Sequence, residues 1–481
     1  MQTLLFFDDW FLSWHQGLRR IWKQPRPIGE PYSDPYAEEG AAPTSVEYHG
    51  GSGQWRAWNN LVRNPIGRGQ PLRQGVGNHL MLLWVSDDGV HWRPYDRGIH
   101  NDNVPEEWPH VLFSQAVSGG GQVYCDARED DPERRYKSVT VLCTGRDPVH
   151  GVLGYTTETR IITSRDGVSW KVADLVHALG SDSYHSFSYN PSSERYQLLL
   201  RASSPDRRIF MSRSVDTRTW EKPFLVLGPD ASDPQCAQFY AMPHFQYHGY
   251  YIGMLWVFHT QYDERTRRKG EGRIETQLTY SLNGISWNRQ RQPFVPMGEP
   301  GEAGEGCVYG CSLVEHPGGD LWVYALLSPF THARVGRNAL AAYTLRRDGF
   351  VCLAPDGGWG VLTTCAIELA SSRLTVNGRA PRGQIRVEVL NADEQPIEEY
   401  SGEGAAVFSG DETDWEVKWP NASLSQLQGK QIKLRLHLTH AELYAIRFEG
   451  VFAYSDHVHY NLEGTEYGVS ALPPREYSAM Q

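Results

Sequence analysis

Asp182 lies in the stretch Ser181-Asp182-Ser183-Tyr184-His185, immediately ahead of a strand-like run, where nothing structural asks for an acid. Glu39 and Asp102 take comparable places ahead of two earlier runs. Glu305 precedes a later one and stands between Gly304 and Gly306, so the backbone can come close to a ligand there. Each carboxyl group also has a plain structural reading. Asp182 can bond its own backbone in a turn or bulge, and Glu39 and Asp102 can be solvated loop acids. As a set they offer a chemistry. Acid–base cleavage of a glycosidic bond uses one protonated and one ionised carboxyl group, and a third acid can hold sugar hydroxyls or tune a pKa.

Other side chains could bind what such acids act on. His185, His259 and Tyr240 are candidate hydroxyl-binding groups, and Trp108 can stack on a sugar face. A lone histidine is more often a satisfied core or surface residue, and most of the sixteen tryptophans must serve packing. Asp8 and Asp9 interrupt an apolar run from Leu4 to Leu12 that reads as a strand, so they would point to opposite faces. The inward one needs a partner such as Arg128 or Arg135. A structural ion pair is the first reading of Asp9, and a reach into the site is the second. The seven cysteines are scattered, and Cys307-Val308-Tyr309-Gly310-Cys311 has no second pair to complete a zinc pattern. They read as reduced core residues. No metal spacing and no cofactor motif is expected.

These candidates are far apart in sequence, so the fold must bring the starts of several strands together. A repeat shows how. It reads Ser86-Asp87-Asp88-Gly89-Val90-His91-Trp92, then Ser164 to Trp170, Ser214 to Trp220, Ser281 to Trp287 and, more weakly, Thr344 to Phe350. The closing aromatics at 92, 170, 220, 287 and 350 are separated by 78, 50, 67 and 63 residues. Each copy follows an alternating apolar run, the mark of a half-buried strand. Asp-Gly or Asn-Gly supplies the positive φ of a tight hairpin. The aspartates are therefore turn chemistry before they are anything else. Five such units predict a five-bladed β-propeller in an all-β chain, with each tryptophan packed between neighbouring sheets. The inner strand of each blade comes first and lines a funnel, so the acids just ahead of those strands converge there.

From about Cys365 the repeat ends and regular period-two strands follow, such as Gln384 to Val389 and Gln431 to Leu438. This predicts a C-terminal β-sandwich. The expected division is 1–360 for the propeller with an N-terminal arm, 361–450 for the sandwich and 451–481 for an aromatic, polar tail. The sandwich or the tail is available to join subunits into a homo-oligomer. The net charge of −11 without a basic stripe argues against nucleic acid. No apolar run is long enough to cross a membrane. The N-terminal run, broken at Asp8-Asp9, is too short for a signal peptide, which predicts a cytoplasmic chain.

A propeller followed by a sandwich resembles the glycoside hydrolases of family 32, in a broad clan with the family 43 arabinosidases, and in particular a bacterial family-32-like group. The matching stretches are Phe7-Asp8-Asp9-Trp10-Phe11-Leu12, Arg134-Arg135-Tyr136-Lys137, Ser164-Arg165-Asp166-Gly167, Gln277 to Ser281, Leu374 to Asn377 and Gly383 to Glu388. They span nearly the whole chain and are scaffold motifs. The family-32 stretch Trp-Met-Asn-Asp-Pro-Asn-Gly is absent, and Arg146-Asp147-Pro148 copies the family's separate Arg-Asp-Pro triplet, but late in blade two. Glu305-Gly306-Cys307 resembles the family's Glu-Cys acid/base pair, but in blade five. The resemblance implies an exo-acting glycosidase of fructosidase or arabinofuranosidase type, acting on an oligosaccharide or glycoside. It places the carboxylates on successive early blades, at Glu39, Asp102 and Asp182. The alternatives are a carbohydrate-binding propeller without catalysis, or a glycan lyase using Tyr and His.

Overall fold

The structure is a computed structural model. It describes residues 1–34, 41–62, 79–96, 111–118, 120–146, 155–177, 181, 184–201, 207–263, 268–332 and 336–453. The chain divides into two compact units: Gln24–Leu345, and Met1–Lys23 together with Arg346–Gln481.

The first unit is built from antiparallel blades of four strands. Blade one pairs Ala41–His49, Gln54–Val62, His79–Ser86 and Trp92–Pro94 in order. Blade two pairs Val111–Ser118, Tyr136–Arg146, Tyr155–Ser164 and Trp170–His177. Blade three uses Ser186–Asn190, Arg195–Leu200, Ile209–Ser214 and Phe224–Leu227. In blade four the inner strand is Ala237–Ala241 continued by His244–Tyr247, followed by Tyr250–Asp263, Arg268–Ser281 and Asn288–Val295. Blade five takes Cys307–Glu315, Leu321–Ser328 and Ala339–Leu345 from its own stretch of chain. Its fourth strand is Arg26–Tyr32, from before blade one. Lending an early strand to the last blade closes the ring, and Arg26–Tyr32 becomes the outer edge of that blade.

Closure is also visible in the packing. Each of the five seams between blades holds its own apolar cluster. Trp58, Leu83 and Ile162 fill the seam of blades one and two, and Val139, Phe187 and Leu198 that of two and three. Met211, Phe239 and Leu255 fill three and four, Trp256, Phe258 and Cys307 four and five, and Trp55, Trp84 and Tyr324 five and one. Fully burying one such side chain stabilises by about 1.5–3 kcal/mol.

The repeat forms hairpins between the third and fourth strands. Ser164 Oγ accepts Gly167 N–H at 2.9 Å, and Asp166 Oδ1 accepts Val168 and Ser169 N–H at 2.8 Å each. Gly167 has φ +76°, and Trp170 Nε1 donates to its carbonyl at 3.0 Å. Ser214, Asp216, Thr217 and Trp220 repeat this geometry, as do Ser281, Asn283, Gly284 and Trp287. The preceding blade receives each turn. Trp58 Nε1 donates to Gly167 O at 2.7 Å, and Tyr324 hydroxyl donates to Gly89 O at 3.0 Å. The fifth copy behaves differently. After Leu345 it carries the chain out of the propeller, and buried Asp348 pairs with Arg447 and accepts Asn377 Nδ2 at 2.9 Å. The fourth strand its hairpin would have supplied is Arg26–Tyr32.

The second unit is a β-sandwich. Its long strand Ile367–Asn391 pairs with Glu442–Phe452 through its first half and with Gln431–Thr439 through its second, where Gln384 stands opposite Thr439 and Asn391 opposite Ile432. The register with Ala406–Glu416 jumps between Ala380 and Ile385, which lets one strand serve both layers. Leu374, Val376, Val387, Leu436, Ile446 and their neighbours form the core. Of the arm expected on the propeller, Met1–Lys23 belongs here instead. Gln2–Leu5 pairs with Glu442–Phe452, Leu12–Gln16 with Trp359–Thr364, and Leu18–Trp22 with Val351–Pro355. The expected strand from Leu4 to Leu12 is thus two strands with a turn at Asp8 and Asp9 between them, because Asp8 Oδ1 accepts Trp10 N–H.

Candidate functional site

The inner strand of each blade starts at one end of the propeller, the second strand returns to that end, and the third leaves from it. The starts of first and third strands and the ends of second strands therefore share one face, and the repeat hairpins lie at the other. Four of the sequence candidates, Glu39, Asp102, Asp182 and Trp108, lie outside the described residues.

Among the described residues, Tyr240 is the centre of the best-formed cluster at this end. It sits on the inner strand of blade four. Arg201, at the end of the second strand of blade three, has its guanidinium carbon 5.8 Å from the Tyr240 ring centre, and Arg207, ahead of the third strand, lies at 5.4 Å. Arg207 Nη1 also donates to Gln238 Oε1 at 2.5 Å, which fixes one edge of its fork. From blade five, the His332 ring approaches Tyr240 edge-on at 5.0 Å and packs on Phe258 at 4.8 Å. His332 is held by its N–H to Gly272 O at 3.0 Å, and the neighbouring Thr331 hydroxyl donates to Glu271. Behind Tyr240 stand Tyr184, Trp256 and Tyr309. Burial, with the nearby Cys311 for Tyr184 and Cys307 for Tyr309, pushes both phenols well above the ordinary tyrosine range. They stay protonated and can only donate or accept neutrally. The Tyr184 hydroxyl is buried and has no hydrogen-bond partner among the described residues. The arrangement offers an aromatic wall, a hydroxyl, an imidazole and two permanent cations.

A carboxylate that sequence reasoning passed over stands at the same end. Asp34 follows the fourth strand of blade five and precedes blade one, and it is 2% exposed. Trp84 Nε1 donates to its Oδ2 at 2.7 Å, and Tyr32 packs edge-on against the same indole. The signal was the Asp34-Pro35 pair just ahead of the first inner strand, which also reads as a plain turn.

His244 was missed as well. Its Nδ1 lies 2.5 Å from Ser186 Oγ and its Nε2 2.6 Å from Ser188 Oγ, and Ser186 donates to Gln122 at 2.8 Å. Burial holds its imidazole down to about 3, so it is neutral and braces the inner strands of blades three and four and the segment at Gln122 that follows the inner strand of blade two. His185 is buried beside it, and its backbone joins blades two and three through Gly120 O and Gln122 N–H. His259 faces away from Tyr240, with Nε2 3.3 Å from Glu275. Glu305 folds back on its own loop, where Oε2 accepts Gly301 N–H at 2.8 Å. Asp9 belongs to the sandwich unit and is paired with Arg20 and with His15 at 3.3 Å. The partner is thus Arg20, not Arg128 or Arg135, because the turn brings Leu18–Trp22 alongside. Partial burial raises the Asp9 pKa, but Arg20 and His15 more than reverse this and hold it below the usual range. No group of three or more His, Cys, Asp or Glu side chains is placed to hold a metal ion among the described residues. No described helix is long and apolar enough to cross a membrane.

No protein-family model matches the chain, and no curated protein does. Solved structures do. One is an N-acetylgalactosamine deacetylase from F. plautii in complex with blood group B trisaccharide, at 16% identity over 68% of this chain and 96% of that one, with a TM-score of 0.43. A thermostable family-43 glycoside hydrolase matches at 11% over 66% and 95%, with a TM-score of 0.42. A Bombyx mori family 32 β-fructofuranosidase matches at 13% over 88% and 94%, with a TM-score of 0.40. The five blades and the sandwich stand on the strand pairings themselves.

Proposed function

We propose that the protein is a carbohydrate-active enzyme, a glycoside hydrolase that cleaves a furanoside-type or related glycosidic bond at the Tyr240 end of the propeller. The observation that supports it most is the meeting, at that end, of Tyr240, its aromatic wall and hydroxyl-binding groups from blades three, four and five. Aromatic faces with a few fixed polar groups suit a sugar ring. In this reading one carboxyl group protonates the leaving oxygen while a second, ionised one attacks the anomeric carbon or activates water. Asp182 is the first candidate, with Glu39, Asp102 and Glu305, and buried Asp34 joins them. Release of 4-nitrophenol from aryl furanosides, with product analysis on plant and microbial oligosaccharides, tests this. Asp182→Asn should abolish hydrolysis in a folded protein, and full activity in that variant would remove Asp182 from the reaction.

A second reading has its own support in the pairing of Tyr240 with His332 beside two arginines. A glycan lyase uses Tyr and His as base and acid, removing the proton next to a sugar carboxylate and protonating the departing oxygen. Growth of ultraviolet absorbance from the new double bond would mark this reaction, and hydrolysis would not produce it.

A further inference from the structure

We propose that Glu271 is a substrate-binding carboxylate of this end, accepting a hydrogen bond from a hydroxyl of the sugar held beside Tyr240. The inference rests on the reading of this end as a sugar site and adds to it a described carboxylate with a stated task. Glu271 lies near the start of the third strand of blade four, on the face where third strands begin. Its neighbour Gly272 has φ +145°, which suits glycine, and an added Cβ would collide with the His259 carbonyl. In an unbroken strand Glu271 and Glu275 would share a face. Glu275 meets His259 at 3.3 Å, whereas Glu271 accepts the Thr331 hydroxyl from blade five. Between them Gly272 O accepts His332 N–H at 3.0 Å, and the His332 ring stands edge-on to Tyr240 at 5.0 Å. One strand start therefore anchors both the carboxylate and the imidazole beside the seam of blades four and five. Burial, with a smaller push from the Glu271 charge, raises the Cys307 thiol, and Cys307 lies in the apolar cluster of that seam, against which Tyr240 packs. Glu271 is half-buried. Among the described residues its carboxylate has one hydrogen-bond partner, Thr331, and no cationic side chain pairs with it. A carboxylate has two oxygens and about four acceptor sites. Thr331 takes one and orients the group, which leaves the others to accept. Sugar hydroxyls beside an aromatic face are donors of the right kind, and their bonds to a carboxylate are about twice as strong as those to a neutral acceptor.

The test is titration calorimetry of L-arabinose and D-fructose into the intact protein, with steady-state cleavage of 4-nitrophenyl α-L-arabinofuranoside and of sucrose beside it. At least one of the two sugars should bind, and Glu271→Gln should weaken it about tenfold or more while circular dichroism stays unchanged. On a glycoside that is cleaved, the same variant should raise KM about tenfold or more and lower kcat by less than about threefold. Thr331→Val keeps the carboxylate and removes only its anchor, so it should cost less than about threefold in either readout. A Glu271 that merely anchored the Thr331 loop would make the two variants alike. Should Glu271→Gln fail to fold, Glu271→Ala takes its place with the same expected loss. Binding of neither sugar, binding unchanged in Glu271→Gln, or equal losses in Glu271→Gln and Thr331→Val overturns the proposal. A collapse of kcat at unchanged KM and unchanged sugar binding also overturns it. Sugar binding that depends on Glu271, without cleavage of any glycoside, would sink the hydrolase reading and leave this one standing.

Discussion

Lys137 Nζ stands 3.2 Å from Asp126 Oδ2, and neither side chain has any exposed surface. The pair lies in the seam of blades two and three. Asp126 also accepts the Tyr196 hydroxyl at 2.6 Å and meets Arg128 at 3.0 Å, and Lys137 also reaches Glu129 at 2.9 Å and Arg134 O at 2.8 Å. Burial alone would raise the Asp126 pKa. The Tyr196 hydroxyl, Lys137 and Arg128 more than offset this and leave it below the ordinary value.

Breaking that pair leaves the buried Lys137 with only the part-exposed Glu129 and the Arg134 carbonyl. Asp126→Asn should therefore cost about 3–5 kcal/mol, seen as a lower urea midpoint. Replacing both partners, Asp126→Leu with Lys137→Met, should cost less than the single change. A single variant within 1 kcal/mol of the parent would contradict the buried-pair account (about the scale of an exposed bridge).

Glu47 predicts a pH dependence. Burial pushes its carboxyl up to about 7 from the usual 4.5, against a smaller pull from Arg56 and the Tyr136 hydroxyl. The folded state then binds the proton more tightly than the unfolded one. Its contribution is full in acid and is lost as pH rises between those two values, by on the order of 3 kcal/mol. His244 acts in the opposite sense, since burial lowers its pKa from 6.5 to about 3 and stability is lost as pH falls through that window. The stability difference between Glu47→Gln and the parent should therefore rise with pH from 5 to 7.5. A pH-independent difference would show that Glu47 ionises freely.

Gly167 should not tolerate a side chain. Its φ is +76°, and an added Cβ would stand 2.8 Å from the Trp58 ring and 3.4 Å from Tyr136. Gly167→Ala is expected to cost about 1–3 kcal/mol by thermal unfolding. Ala at Gly301 has the open space that Gly167 lacks and should cost less, although its φ is +93°.

Asp34 separates charge from structure. Asp34→Asn keeps an oxygen for Trp84 Nε1 and should leave stability within about 1 kcal/mol, while lowering turnover a hundredfold or more if the carboxylate serves the reaction. Asp34→Ala leaves the indole N–H without this acceptor and should cost about 1–3 kcal/mol in addition. Undiminished turnover in Asp34→Asn would assign the residue to the blade seam alone.

Local chemistry carried the architecture into view. The Ser-x-Asp-Gly-x-x-Trp spacing is a hairpin that closes on itself within seven residues, so it was legible in the chain and the blades follow from it. The period-two runs after Cys365 specified a sandwich in the same way, because alternation alone decides which face is buried. What spacing could not carry was partnership across distance. Nothing near Arg26–Tyr32 says that it completes a blade whose other strands begin at Cys307, and nothing near Gln2–Leu5 says that it pairs with Glu442–Phe452. An edge strand pairs through backbone groups that every residue has. The same holds for the site. Tyr240 was a candidate by its place on an inner strand, but Arg201, Arg207 and His332 reach it only because strands of three blades end at one face. Asp9 was read with Arg128 or Arg135 and pairs with Arg20, since a turn, not a through-going strand, sets its neighbours. The sequence by itself determined the strands, their turns and the kind of domain each run builds. The tertiary structure decided which distant strands share an edge and which charges meet, because those choices depend on ring closure and seam packing, which no local stretch encodes.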